Sequence, residues 1–241
     1  MSKILTAPIV EIFRSLEGEG AFIGTPTIFI RLAGCPVGCK HCDSKATWKV
    51  NNFPKKTLQE VIDEVARLNS GDQMIIDRVS ITGGEPLIHE EFLLSLCNAL
   101  VMKNPWFTIN LETSGTLFPH SIFRPGHYSD YVDTLSLDIK TPSSGVVLQE
   151  SQIKSLQTAA RSEVVYIKAV IDSQKDLNFV LDVFFDPKVE MANELVLTPC
   201  EKAGKFFNFD SIFKVLNKRK VDVKKFKIRV ITQQHKLMGF R

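Results

Sequence analysis

The chain has 241 residues, of which 44% are hydrophobic and 24% charged, a balance that suits one compact globular domain and excludes a disordered or fibrous chain. Its formal net charge of +3 is too small to favour nucleic acid as a partner. The sequence has no run of 18 apolar residues, so no membrane partner is expected, and its first residues lack the apolar segment of a secretory signal.

Strand and helix signals alternate along the chain. Strands are predicted first at residues 8–13 and 25–33, followed by a helix at 57–68 that opens with the capping-box pair Thr57 and Glu60. The remaining predicted elements, in chain order, are strand 78–82, helix 89–102, strand 107–112, loop 118–130, strand 134–139, helix 147–160, strand 164–171, helix 175–185, strand 194–198, helix 210–218 and strand 226–232.

This alternation predicts parallel strands joined by crossover helices, which is an α/β fold. An open sheet and a partial barrel both fit, and in either architecture ligands bind at the carboxyl ends of the strands. No repeat and no Pro/Gly/Ser-rich linker divides the chain, so a single domain over residues 1–241 is predicted.

Three of the five cysteines, Cys35, Cys39 and Cys42, form a C-x3-C-x2-C pattern on the loop after a predicted strand. Three thiolates can hold an iron–sulfur cluster while one iron stays open to a small chelating molecule. Structural zinc needs a closed shell of four ligands, and His41 could supply the fourth, but this is the weaker alternative because His41 lies inside the tight loop, where its geometry is awkward. The number of cysteines is odd and three of them are clustered, so a metal or redox site in a reducing cytoplasm is favoured over a disulfide scaffold.

Other polar or glycine-rich segments also follow predicted strands. They are Thr82-Gly83-Gly84-Glu85-Pro86, Glu112-Thr113-Ser114-Gly115, Ser136-Leu137-Asp138-Ile139-Lys140 and Leu197-Thr198-Pro199-Cys200. The carboxyl ends of parallel strands share one rim, so these segments are expected to meet the cysteine loop there. Taken alone, Cys97 and Cys200 are more typical of packing residues.

The cysteine loop and the GGEP segment resemble those of radical S-adenosylmethionine (SAM) enzymes. This resemblance implies a compact, modified, partial (β/α)6-type barrel and one 4Fe-4S cluster per chain, held by Cys35, Cys39 and Cys42. It also implies SAM binding by a set of strand-end residues, namely Gly84, Ser114, Asp138, Ile139, Lys140, Thr198, Pro199 and Cys200. Cofactor and cluster would carry the radical chemistry, so no catalytic side chain is predicted.

Within that superfamily, the segment Leu16-Glu17-Gly18-Glu19-Gly20, Arg31 and the terminal Gln233-Gln234-His235-Lys236 resemble the 7-carboxy-7-deazaguanine synthase family. These lyases contract the ring of 6-carboxy-5,6,7,8-tetrahydropterin and release ammonia, on the route to queuosine and other 7-deazapurines. The resemblance implies that an N-terminal segment and a pocket-closing tail bind the pterin. The residues implied are Leu16, Glu17, Gly18, Arg31, Thr82, His235 and Lys236.

The same resemblance implies Mg²⁺ at Ser44, a homodimer and an electron donor such as flavodoxin. Two residues depart from the family pattern: Glu17 stands where Gln is usual, adding negative charge, and Ser44 stands where Thr is usual but keeps the hydroxyl. A basic run from Lys218 to Lys227 could attract an acidic donor, although such a run is more often a solvated face.

Two alternatives stay open. A radical SAM activase that places a glycyl radical on a partner protein would share the cysteine loop and GGEP, but would not need the other segments as a pterin pocket. A zinc-binding or electron-carrier module is the second, although a carrier normally ligates every iron with protein.

Overall fold

The structure is a computed structural model that describes residues 4–70, 74–117, 132–150, 152, 165–185, 194–202, 205–222 and 226–240. Its strands are β1 (Thr6–Leu16), β2 (Pro26–Leu32), β3 (Lys55–Thr57), β4 (Arg78–Gly83), β5 (Thr108–Thr113), β6 (Thr134–Asp138), β7 (Val165–Ile171), β8 (Leu195–Pro199), β9 (Glu201–Lys202), β10 (Lys205–Phe206) and β11 (Ile228–Val230). Its α-helices are α1 (Leu58–Leu68), α2 (Glu90–Lys103), α3 (Gln174–Phe184), α4 (Phe209–Lys218) and α5 (Gln234–Met238).

Nine of the strands form one sheet in the order β11-β8-β7-β6-β5-β4-β2-β1-β3. Every pair from β11 to β2 is parallel, whereas β1 runs antiparallel to both β2 and β3. The end strands of the sheet do not pair with each other, so the parallel part is an unclosed, partial barrel. This confirms the predicted α/β class and the partial-barrel form.

The hydrophobic core is a continuous cluster to which the parallel strands and four of the helices contribute. Strands such as β4 and β5 are buried on both faces, which explains why they read as short apolar runs and not as alternating patterns. Helices α1 and α2 pack against each other, as do α3 and α4. None of the described helices is long and apolar enough to cross a membrane.

Most predicted elements lie within two residues of the observed ones, but several differ. Strand β1 extends to Leu16 because it pairs with β2 as far as that residue, and β11 is two residues shorter at each end than predicted. The short strands β3, β9 and β10 were not predicted. The predicted loop 118–130 and most of the predicted helix 147–160 lie outside the described residues.

The predicted capping box at the start of α1 is present. The Thr57 hydroxyl accepts a hydrogen bond from the Glu60 amide at 3.3 Å, and the Glu60 carboxylate accepts one from the Thr57 amide at 2.7 Å. These two bonds satisfy backbone groups that the first turn of a helix leaves without partners.

We expect Thr57→Ala to lower the free energy of unfolding by about 1 kcal/mol, because the cap hydroxyl is lost. Urea denaturation measures this change. Ser95→Ala is the matched control, since its hydroxyl bonds only to the Glu91 carbonyl within α2 and caps no helix. Equal stability of the Thr57 variant and the wild-type protein would contradict the capping role.

Candidate active site

A cavity of about 550 Å³ lies at the carboxyl ends of the parallel strands. The ends of β2, β4, β5, β6 and β7, the cysteine loop and residues of the tail beyond β11 all contribute to its wall. The predicted convergence of strand-end segments on one rim is therefore present in the structure.

Nearly all residues singled out from the sequence line this cavity. They are Leu16, Glu17, Gly18, Arg31, Cys35, Cys39, Cys42, Ser44, Thr82, Gly84, Ser114, Asp138, Ile139, Lys140, Cys200, His235 and Lys236. Thr198 and Pro199 do not line it, because both are buried within β8, and the Thr198 hydroxyl has no hydrogen-bond partner among the described residues. Cys97 lies in the core, where burial raises the pKa of its thiol to about 12, as suits a packing residue.

The three cysteines of the loop are free thiols, each partly exposed to the cavity. Burial raises the pKa of both the Cys35 and Cys39 thiols, and negative charge on Cys42 would raise both further. The Trp48 indole N–H donates to Cys42 Sγ at 3.4 Å. The thiols are thus close enough to influence one another, and one of them already receives a hydrogen bond.

The GGEP segment lies directly against the cysteine loop. The Gly84 amide donates to the Leu32 carbonyl at 2.9 Å, and the Glu85 amide donates to the Gly34 carbonyl at 2.7 Å. A Cβ at Gly84 would lie 2.2 Å from the Gly34 carbonyl oxygen, a distance that no side chain could occupy. Glycine at this position therefore lets the end of β4 approach the loop that carries Cys35.

Glu85 is fully buried, and its carboxylate joins this segment to the end of β5. It accepts hydrogen bonds from the Thr113 hydroxyl at 2.7 Å, the Ser114 amide at 2.8 Å and the Leu87 amide at 3.2 Å, and also from the Ser114 hydroxyl. Because these internal donors occupy the carboxylate, Glu85 holds loops together and does not present a free acceptor to a ligand.

Asp138 and Lys140 both line the cavity and pair with each other at 2.8 Å. Burial disfavours the lysine cation, but the charge of Asp138 and the nearby Cys39 outweigh this effect, so the pKa of Lys140 lies above its ordinary value. The pair thus places an ammonium and a carboxylate on the same cavity as the cysteine loop.

A second polar region of the cavity is formed by residues of β1, β2, β4 and β5. Arg31 Nε donates to Glu11 Oε1 at 3.0 Å, and the Arg31 guanidinium lies 5.6 Å from the centre of the Phe13 ring. The Thr82 hydroxyl donates to Glu112 Oε2 at 3.0 Å. The aromatic ring and the carboxylate hold the guanidinium at the cavity wall, where it can bind an anionic ligand group.

Sequence reasoning missed Lys168, and it quoted Glu112 and Gln233 within longer segments without giving either a role. Lys168 on β7 forms a buried ion pair with Glu19, and Glu112 and Gln233 also line the cavity. The available signal was a charged residue inside an otherwise apolar strand, since burying a charge is costly unless it is paired.

Asp43, beside Cys42, lies 3.8 Å from His235 and pairs with Lys236 at 3.4 Å, and these neighbours keep the pKa of Asp43 below its ordinary value.

Glu17 is only 3% exposed, and its Oε1 lies 3.9 Å from Arg78 Nε. Within the described residues, neither of these two atoms has a hydrogen-bond partner. Burial, followed by the negative charge of Glu112, raises the pKa of Glu17 to about 8, although Ser80 and Arg78 oppose the rise. Glu17 is therefore mainly neutral near pH 7, in contrast to the added negative charge expected from the sequence.

The three thiols suit an iron–sulfur cluster better than a single ion. Among the described residues, no three His, Cys, Asp or Glu side chains converge closely enough to coordinate one metal ion. In a cubane cluster each cysteine binds a different iron, so the sulfurs need not share one coordination sphere. Three partly exposed thiols on one cavity match the three protein ligands of such a cluster, whereas a structural zinc site needs four.

Comparison with protein families gives a match to the Radical SAM superfamily over residues 29–162, more than half of the chain. This matched region contains the cysteine loop, the GGEP segment and the ends of β5 and β6.

Individual relatives carry a more specific name. A 7-carboxy-7-deazaguanine synthase from Synechocystis sp. is 43% identical over 117 residues, which cover 48% of this chain and 51% of the relative. One from Methanothermobacter thermautotrophicus is 27% identical over an alignment of 259 positions, gaps included, that covers 99% of each chain. The chain spans about half the length of the first curated relatives that it matches.

Among solved structures, the crystal structure of QueE from Escherichia coli superposes with a TM-score of 0.66 and 24% sequence identity. The superposition covers 95% of each chain, and it shows that the two share a fold.

We expect Glu17→Gln to change how stability depends on pH. The pKa of Glu17 rises from 4.5 in the unfolded chain to about 8 in the folded one, so the stability that its neutral form contributes is present below pH 4.5 and lost as the pH rises through 8. A glutamine stays neutral, so the variant should gain on the order of 3 kcal/mol relative to wild type between pH 5 and pH 9. Chemical denaturation of both proteins at these pH values measures the difference. If the free energy of unfolding depends on pH in the same way for both proteins, the raised pKa of Glu17 is contradicted.

Proposed function

The chain belongs to the radical SAM superfamily, and we propose that it is a 7-carboxy-7-deazaguanine synthase, a carbon–nitrogen lyase that converts 6-carboxy-5,6,7,8-tetrahydropterin to 7-carboxy-7-deazaguanine. One observation carries this proposal: the three cysteines, Arg31, Glu17 and the tail residues His235 and Lys236 all line the same cavity. A radical-generating centre and a pocket for an anionic heterocycle would then share one enclosed space.

The cysteines Cys35, Cys39 and Cys42 would hold a 4Fe-4S cluster, whose open iron binds SAM. When bound, cluster and SAM together supply the one-electron chemistry that starts the reaction. The protein's own contribution is to orient the reacting molecules and to exclude water from the cavity.

SAM would lie along the rim formed by the ends of β4, β5, β6 and β8. Gly84 lines this rim, and the Asp138–Lys140 pair offers both a carboxylate and an ammonium to a zwitterionic ligand. Ser114, Ile139 and Cys200 line the same wall. Thr198 and Pro199 would support this wall from within β8.

The pterin would bind on the opposite side, against Leu16, Glu17 and Gly18 and near Thr82. Arg31 is suited to the substrate carboxylate, since its guanidinium offers several donors in a fixed plane. A mainly neutral Glu17 could donate a hydrogen bond to a heterocycle as well as accept one. His235 and Lys236 would cover the bound substrate from the tail.

Magnesium is proposed at Ser44, whose hydroxyl lies 3.7 Å from Cys42 Sγ and 3.4 Å from an Asp43 carboxylate oxygen. Mg²⁺ prefers oxygen ligands and often takes several of them from substrate and water, so one protein hydroxyl is sufficient here.

The family resemblance further supports a homodimer, a single functional domain and an acidic electron donor of the flavodoxin type. The exposed lysines of α4 and the segment after it would attract such a donor.

An anaerobic assay with the tetrahydropterin, SAM and dithionite tests the function. We expect 7-carboxy-7-deazaguanine and ammonia from the reconstituted protein, and neither from Cys39→Ala, which should keep its fold but lose the iron–sulfur absorbance. An activase would form no deazaguanine, so absence of this product from a protein that carries an intact cluster would refute the proposal.

We expect Ser44→Ala to lose most of the stimulation of turnover by Mg²⁺, because the protein oxygen ligand is removed, whereas Ser44→Thr should retain it. Turnover measured over a range of Mg²⁺ concentrations tests this. The iron–sulfur absorbance of both variants serves as the control for the neighbouring cluster, and an unchanged Mg²⁺ response in Ser44→Ala would exclude the site.

A further inference from the structure

Lys168 is a buried cation that none of the sequence motifs includes. It lies in the middle of β7, and the residue is only 6% exposed. Its ammonium pairs with Glu19, and Glu112, Asp138 and Tyr166 are also close enough to raise its pKa well above the ordinary value, although burial opposes this. Burying a cation in a strand interior is costly unless it is paired, so the ion pair with Glu19 offsets the cost of burying Lys168.

The carboxylate of Glu19 has two partners on different parts of the chain. One oxygen pairs with Lys168 on β7, and the other accepts a hydrogen bond from Gln233 Nε2 at 2.8 Å. Glu19 lies on the segment that follows β1, and Gln233 immediately precedes α5. A single carboxylate thus joins the N-terminal segment, the sheet and the tail.

Further bonds fasten the tail at the same place. The Gln234 amide donates to the Gly18 carbonyl at 2.7 Å, and the Lys236 ammonium donates to the Gln233 side-chain oxygen at 2.6 Å. Gln233 is buried, and both polar atoms of its side-chain amide have partners: Nε2 donates to Glu19, and Oε1 accepts from Lys236. Lys236 is thus held at the cavity by Gln233 and by Asp43, and Gln233 in turn is held by Glu19.

We propose that Lys168 is a positioning residue: by fixing the Glu19 carboxylate it creates the attachment point for the C-terminal tail, and so holds His235 and Lys236 over the substrate cavity. This proposal rests on the proposed function for the identity of the substrate, but the attachment itself does not. Lys168 would act through Glu19 and Gln233 and need not touch the pterin.

Two variants test the attachment from its two sides. Lys168→Met combined with Glu19→Gln removes the ion pair without leaving an unpaired buried charge. Gln233→Leu removes the side-chain amide by which the tail binds the Glu19 carboxylate. Hydrogen exchange of the reconstituted protein is measured at the amides of Gln234, Lys236 and Gly239, which report on the tail. We expect exchange there to become faster by about tenfold or more in both variants, with strand amides such as those of Ile81 and Leu111 unchanged.

Steady-state kinetics provides the second measurement. We expect the KM for the tetrahydropterin to rise by about tenfold in both variants. Gln233→Leu leaves the charges around Asp138 unchanged, so the KM for SAM should stay the same in that variant. Lys168→Arg keeps the cation and should restore much of the wild-type KM. Lys202→Met, which breaks an ion pair with Asp172 outside the tail, is the control and should change neither exchange nor KM.

Tail exchange at the wild-type rate in both variants would overturn the proposal, as would an equal rise of both KM values in Gln233→Leu. If the wild-type protein forms no deazaguanine, the proposed function fails, and the exchange measurement alone then decides whether Lys168 holds the tail.

Discussion

The buried carboxylate of Glu85 is the interaction on which the site most depends. Its oxygens accept hydrogen bonds from Thr113 and Ser114, while its own amide donates to the Gly34 carbonyl just before Cys35. Three separate strand ends are thereby fixed to one another before any ligand binds. A buried carboxylate without these donors would be strongly unfavourable, so the loops are held together by the same bonds that make the burial of Glu85 tolerable.

The charges of the cavity are similarly fixed in place by their neighbours. Lys140 pairs with Asp138, Arg31 with Glu11 and Lys168 with Glu19. Each cation is oriented by a carboxylate on the same or a neighbouring part of the wall, so little reorganisation is needed when a charged ligand enters. Glu17 differs, because burial and Glu112 favour its neutral form despite the nearby Arg78.

The sequence predicted the local features well and the long-range contacts poorly. The capping box of α1 and the strand carrying Thr82 depend on residues close together in the chain, and the structure has both. The pair between Glu19 and Lys168 joins residues 149 apart, and only the closeness of β7 to the segment after β1 in space brings them together. Likewise, the sequence places Glu85 in the GGEP segment but does not reveal that Thr113 and Ser114 occupy its carboxylate.

The segment at residues 17–24 leaves β1 and reaches the opposite end of the unclosed sheet, where the Ala21 carbonyl accepts a hydrogen bond from Arg229 on β11 at 3.0 Å. The gap in the barrel is therefore bridged by scattered side-chain and backbone bonds and not by a ladder of paired strands. Separation along this seam would leave every strand pairing intact, whereas widening the barrel anywhere else would break a ladder. A heterocycle that needed a wider cavity could therefore be accommodated by parting these scattered bonds, without the loss of any pairing between strands.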